Sequence, residues 1–133
     1  MYDGLKGFRE FYPGEMSARR AVTDTIEERI CRHGFREIGT PALERTQMYT
    51  DKSGEGITEE LYAFEDKGGR SVAMTPELTP TVARMVVAKQ GALARPIKWF
   101  STRPFWRYEQ VQQGRFREFY QTNVDIFGSD QPE

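Results

Sequence analysis

Two strand-like runs on either side of a glycine turn restrict this chain more than any other feature. "PIKWFSTRPFWRYE" (96–109) reads as two strands broken at Pro104, and 115–127 as one long final strand, with "QVQQG" (110–114) as the loop between. Strands joined by a hairpin lie antiparallel, which commits the chain to a sheet whose side chains alternate between two faces.

The remaining sequence supplies helices for that sheet. Ala18, Val22, Ile26 and Ile30 recur four residues apart between Glu15 and His33, ahead of Gly34, and predict an amphipathic helix closed by a left-handed glycine. His33 falls where the helix ends, a place suited to interaction with the helix dipole rather than to catalysis. "FREIGTPALE" (35–44) reads as a short strand. Its Pro41 has no N–H for a ladder, so it belongs on an edge or where the sheet meets a partner. Runs 61–65 and 70–74 flank "DKGG" and predict a β-hairpin in which Gly68 and Gly69 supply positive φ. "TPTVARMVVAKQG" predicts a helix with Thr79 as N-cap, Pro80 in the first turn and Gly91 past the end. "DKSGEGITEE" around Gly54 reads as the most mobile loop. The sum is an α+β fold, an antiparallel sheet with helices on one side, in a single domain over 1–133.

Composition narrows the function classes. With 38% hydrophobic and 29% charged residues the chain is neither disordered nor long enough in any apolar run to span a membrane, which needs roughly 18 residues. Nineteen basic against twenty acidic residues leave a net charge of -1, so any polyanion site must be local. The single Cys31 cannot form an internal disulfide, and no leader-like segment precedes Gly7, which points to a reducing cytoplasm. "SDQPE" follows the most elaborate stretch with nothing to cover it, so the chain reads as part of something longer.

Splitting the final strand by parity puts Phe116, Tyr120, Val124 and Ile126 on one side, expected to face the core. The other side carries Arg115, Arg117, Phe119, Gln121, Asn123 and Asp125, and Phe105, Arg107 and Glu109 of the preceding strand share one face that can join it. A solvated sheet face is normally polar, and Arg107 with Glu109 could be a surface ion pair. Phe119 on the polar face and Gly114 beside arginines argue for more. Guanidinium groups fit phosphate oxygens, an aromatic ring offers a platform, an amide both donates and accepts, and a carboxylate accepts from N–H. Phe119 to Asp125 spans on the order of 20 Å, enough for a nucleotide joined to a second small molecule.

At these residues a family likeness enters. "FWRYEQVQQGRFREFYQTNVDIFG" resembles motif 2 of class II aminoacyl-tRNA synthetases in the form of the histidine enzymes, within 100–128. "MTPELTPTVAR" (74–84) resembles their amino-acid-binding loop, "GFREIGTPALE" (34–44) resembles motif 1, and "KGFREFYPGEM" resembles their N-terminal segment. The resemblance implies a partial class II catalytic domain, through motif 2, that activates histidine with ATP and Mg2+ to histidyl-adenylate for transfer to tRNA(His). It implies Arg107 on the α-phosphate and the substrate carboxylate, Glu109 orienting adenine or the loop, and Arg115 on the outer phosphates. It implies Phe119 stacked on adenine with Arg117 beside it, and Glu77, Thr79 and Gln121 on the α-ammonium. Asp125 would accept from the imidazole, and Pro41 would lie at a homodimer interface. No metal ligands are implied.

Each role has a plainer counterpart. Glu77 could favour the positive end of the next helix, Asp125 could be an exposed strand carboxylate, Trp99 and Trp106 fit the core, and Arg103 is undecided. Motif 3 and the second histidine-enzyme signature are missing from these 133 residues. The alternatives are therefore an inert fragment or a synthetase-like regulatory subunit of ATP phosphoribosyltransferase. Retention of the ATP-handling residues argues against the regulatory subunit, and loss of sheet neighbours predicts self-association.

Overall fold

A computed structural model describes residues 2–129. The order is α1 (Pro13–Arg32), β1 (Arg36–Glu37), β2 (Leu43–Arg45), α2 (Gln47–Ser53), a 3-10 segment (Glu55–Glu60), β3 (Ala63–Glu65), β4 (Ser71–Met74), α3 (Thr79–Lys89), β5 (Ile97–Trp106) and β6 (Glu118–Phe127). They form two three-stranded sheets, β1-β5-β6 and β2-β4-β3. All pairings are antiparallel except β1 with β5, which is parallel because the chain returns between them through the whole second sheet and α3.

The α+β class stands, with several corrections. The stretch 35–44 is two short strands in different sheets, with Pro41 between them rather than inside either. β5 runs unbroken through Pro104. The N–H of Trp106 leaves the β6 side and donates to Thr75 O at 3.1 Å. Backbone groups two residues apart point the same way, so the N–H that Pro104 lacks faces away from β6 and no bond of that ladder is lost. β6 starts at Glu118, not Arg115, because the N–H groups of Arg117 and Glu118 both donate to Gly7 O, at 2.9 and 3.1 Å. Gly7 is required there. At its φ of 88° a Cβ would lie 2.8 Å from Arg117 Cγ and 2.9 Å from Val111 Cγ2.

In the "DKGG" turn only Gly69 has positive φ. Leu78 is the N-cap of α3 and is already helical in backbone, so Thr79 lies inside the helix and no cap hydroxyl is used. "DKSGEGITEE" is the end of α2 plus the 3-10 segment rather than a loop, with Glu60 O accepting from Tyr108 N at 2.8 Å.

The faces of the large sheet are also reassigned. Helices lie on both. α3 covers the odd-numbered face, where Leu78, Val82 and Phe105 form a core joined by Ile38, Val86, Trp99, Phe119 and Phe127. α1 lies over the even face, its Arg19 guanidinium 3.9 Å above the Tyr120 ring. The apolar positions expected inside are therefore outside: Val22 of α1 is 61% exposed and Val124 and Ile126 of β6 are 46% and 41% exposed. A second core of Tyr49, Leu61 and Ala73 holds the small sheet to α2. Trp106 is buried as expected, its Nε1 donating to Glu118 Oε2 at 2.8 Å.

Candidate functional site

The site forms where the end of β5 meets the link from β4 to α3. Arg107 follows the last residue of β5, and its Nε donates to Pro76 O at 3.1 Å. That bond fixes the guanidinium against the residue preceding Glu77. Arg107 and Glu77 line one cavity of about 130 Å³ together with Ile57, Glu60 and Pro76. The Arg107 guanidinium carbon also stands 5.3 Å from the centroid of Phe119, whose ring stacks on buried Phe105 at 6.3 Å and 30°. On that side lies a second cavity of about 240 Å³, lined by Arg107, Glu109, Gly114, Arg115, Phe116 and Phe119. Arg107 borders both.

Charge in the second cavity is arranged by a turn. Gln112 and Arg115 bridge across Gly114, whose φ of 77° closes the turn and brings Arg115 back toward Glu109. Arg115 Nε donates to Glu109 Oε2, so the two form an ion pair. This hydrogen bond holds the Glu109 carboxyl below its ordinary range, with Arg107 adding to the effect, and it raises Arg115 in return. Arg107 is thus not the partner of Glu109 in a surface ion pair.

Arg117, Thr79, Gln121, Asp125 and Pro41 line neither of these two cavities. Arg117 Nε donates to Glu109 O at 3.1 Å, and its guanidinium covers the Tyr108 ring at 3.9 Å. Thr79 is exposed on the first turn of α3, and Gln121 is exposed on β6 opposite Arg103. Asp125 is half-buried on the α3-covered face, and burial raises its carboxyl above the ordinary value. Its Oδ2 and the Oδ1 of Asn123 are buried acceptors without a hydrogen-bond partner. Pro41 is exposed, its carbonyl oxygen accepting from Arg103 Nη1 at 2.7 Å. Glu77 accepts at both carboxylate oxygens from Lys52 Nζ, at 2.7 and 2.6 Å.

Lys52 is a residue that sequence reasoning passed over, and Arg103 one whose role it left undecided. Nothing in "TDKSG" marks a lysine whose partner lies 25 residues on. Arg103 clamps the link between β1 and β2 to β5 through Thr40 O at 3.1 Å and Pro41 O, a job with no sequence signature.

The model of the histidyl-tRNA synthetase family matches residues 7–133. A histidine–tRNA ligase from Natronomonas pharaonis is 86% identical over 133 residues, which is 100% of this chain and 31% of that protein. The apo histidyl-tRNA synthetase of S. aureus superposes with a TM-score of 0.81 at 28% identity, over 98% of this chain and 30% of that one. A Bacillus halodurans protein described as an ATP phosphoribosyltransferase regulatory subunit/histidyl-tRNA synthetase superposes at 0.83 and 24% identity, over 98% and 33%, a likeness of fold. The chain spans about a third of the length of these relatives. Its sequence and its fold place this chain in the histidyl-tRNA synthetase family.

Proposed function

We propose that residues 1–133 are part of the catalytic domain of a class II, cytoplasmic histidine–tRNA ligase and carry much of its histidine-activation site. The observation that carries this reading is the shared cavity of Glu77 and Arg107, tied together through Pro76. A free amino acid presents an ammonium and a carboxylate a few ångströms apart, and a carboxylate facing a guanidinium is the complementary pair. The neighbouring cavity, with Arg115, Glu109 and Phe119, suits the phosphates and base of ATP. With Arg107 on the border of both, its guanidinium would bring the histidine carboxylate and the α-phosphate together and stabilise charge on the phosphoryl oxygens during in-line attack. Asp125 and Asn123 lie further along β6 with acceptors lacking donors, which suits recognition of an imidazole N–H.

Among the described residues no group of three or more His, Cys, Asp or Glu side chains could hold a metal. Glu109 is committed to Arg115. Mg2+ bound to the ATP phosphates would neutralise their charge. The partners in the whole protein are histidine, ATP and tRNA(His), with a homodimer formed through residues 34–44 around Pro41. Among the described residues no helix is long and apolar enough to cross a membrane. The regulatory-subunit alternative shares the architecture, but the clustering of Arg107, Glu109, Arg115 and Phe119 favours activation.

The test is calorimetric titration of the full-length protein with a non-hydrolysable histidyl-adenylate analogue, against the prolyl, threonyl and seryl versions. Preferential binding of the histidyl analogue, weakened by Arg107→Ala, is expected. Equal binding of all four would overturn the assignment of histidine.

A further inference from the structure

Among side chains outside the assigned set, Lys52 has the firmest hold on the site. Its Nζ reaches both oxygens of Glu77, at 2.7 and 2.6 Å, from the last turn of α2. A helix C-terminus favours a cation there, and Gly54 ends the helix just beyond. The element carrying Lys52 is anchored independently of it, through Tyr49 and Leu61 in the small core and through Glu60 O bonded to Tyr108 N. The lysine side chain itself is 47% exposed, so it can turn into water without disturbing that anchor. A primary ammonium on both oxygens of a carboxylate is also the arrangement that an amino acid's α-ammonium would make with the same group.

We infer that Lys52 is an internal stand-in for the substrate ammonium, holding Glu77 while the site is empty and releasing it when a free amino acid enters. This rests on the reading of Glu77 as the ammonium acceptor. Two ammonium groups crowded on one carboxylate repel each other, so the incoming group displaces Lys52 instead of joining it. A partly exposed ion pair is weak enough to exchange. An amine with no carboxylate merely replaces one cation by another. A zwitterionic amino acid gains Arg107 as well, because Arg107 lines the same cavity. Lys52 thereby raises the threshold against simple amines and favours free amino acids.

The experiment measures KM for histidine and kcat in histidine-dependent ATP–pyrophosphate exchange by the full-length protein, comparing wild type with Lys52→Met, Lys52→Arg and Glu77→Gln. Lys52→Met is expected to lower KM for histidine roughly two- to fivefold, the worth of one partly exposed ion pair, with a smaller change in kcat. Lys52→Arg is expected to restore the wild-type KM, and histamine, an amine without a carboxylate, should inhibit Lys52→Met more strongly than wild type. An unchanged or raised KM in Lys52→Met, with Glu77→Gln still impaired, overturns the stand-in and leaves the reading of Glu77 intact. Wild-type KM in Glu77→Gln, or no histidine dependence in any form, overturns the reading of Glu77 and the inference with it.

Discussion

Arg107 Nε donates to the carbonyl oxygen of Pro76 at 3.1 Å, and this one bond holds the guanidinium between two cavities. A lysine has neither the second nitrogen nor the planar fork to keep that bond while also meeting a ligand. Arg107→Lys is therefore expected to behave much like Arg107→Ala. Both should lower kcat for histidine activation by roughly 100- to 1,000-fold with the fold unchanged by circular dichroism.

Phe119 leans on Phe105 and faces Arg107, so its ring combines core packing with a platform for the base. Phe119→Leu keeps apolar volume but removes the flat face. The expected result is a KM for ATP raised about tenfold, in line with roughly 1 to 2 kcal/mol of stacking, and a KM for histidine changed much less. Steady-state kinetics with each substrate varied in turn checks this.

The pairing of Glu109 with Arg115 sets a pH dependence. The folded-state carboxyl lies below its ordinary value, so its contribution is present above the unfolded-state value and is lost as pH falls through the folded one. A double-mutant cycle of Glu109→Gln and Arg115→Gln is expected to show a weak favourable coupling at neutral pH that disappears in acid. Denaturant unfolding at a series of pH values reads it.

Asp125 has the opposite sign. Burial raises its folded-state value, so the charged form is a cost that appears as pH rises through that value and is absent in acid. Asp125→Asn is expected to stabilise the protein without ligand slightly at neutral pH, with no gain in acid, and to weaken discrimination for histidine. Thermal denaturation at two pH values and exchange assays with competing amino acids separate the two effects.

Among the described residues β6 has a strand neighbour on one side only, and Val124 and Ile126 lie exposed along it. An unpaired ten-residue edge next to exposed apolar groups invites pairing with another chain. The 133-residue chain is expected to sediment as a dimer or larger, and Val124→Lys with Ile126→Lys should shift it toward monomer. A wild-type monomer across the micromolar range would contradict this.

The hairpin of β5 and β6, α1, α3 and the small hairpin were legible because alternation, four-residue spacing and glycine turns are local signals. Which face is covered was not. The even positions of β6 look like a core stripe, yet α1 approaches them with Arg19 and Thr23, while α3 brings Leu78 and Val82 to the odd side. That choice depends on helix placement, a long-range property. The start of β6 was misjudged for the same kind of reason, since the competitor for its first N–H groups is Gly7, more than a hundred residues away. At the site, Arg107, Glu109, Arg115 and Phe119 could be named from their spacing. Lys52 could not, because its partner is set by how α2 packs on the small sheet beside the link that follows β4.

The most direct measurement is histidine-dependent ATP–pyrophosphate exchange with Mg2+ by the full-length protein, with Arg107→Ala and Glu77→Ala alongside. Exchange that requires histidine and collapses in both variants while they remain folded is the expected result. Exchange that survives in either folded variant at the wild-type rate would contradict an activation site built on Glu77 and Arg107.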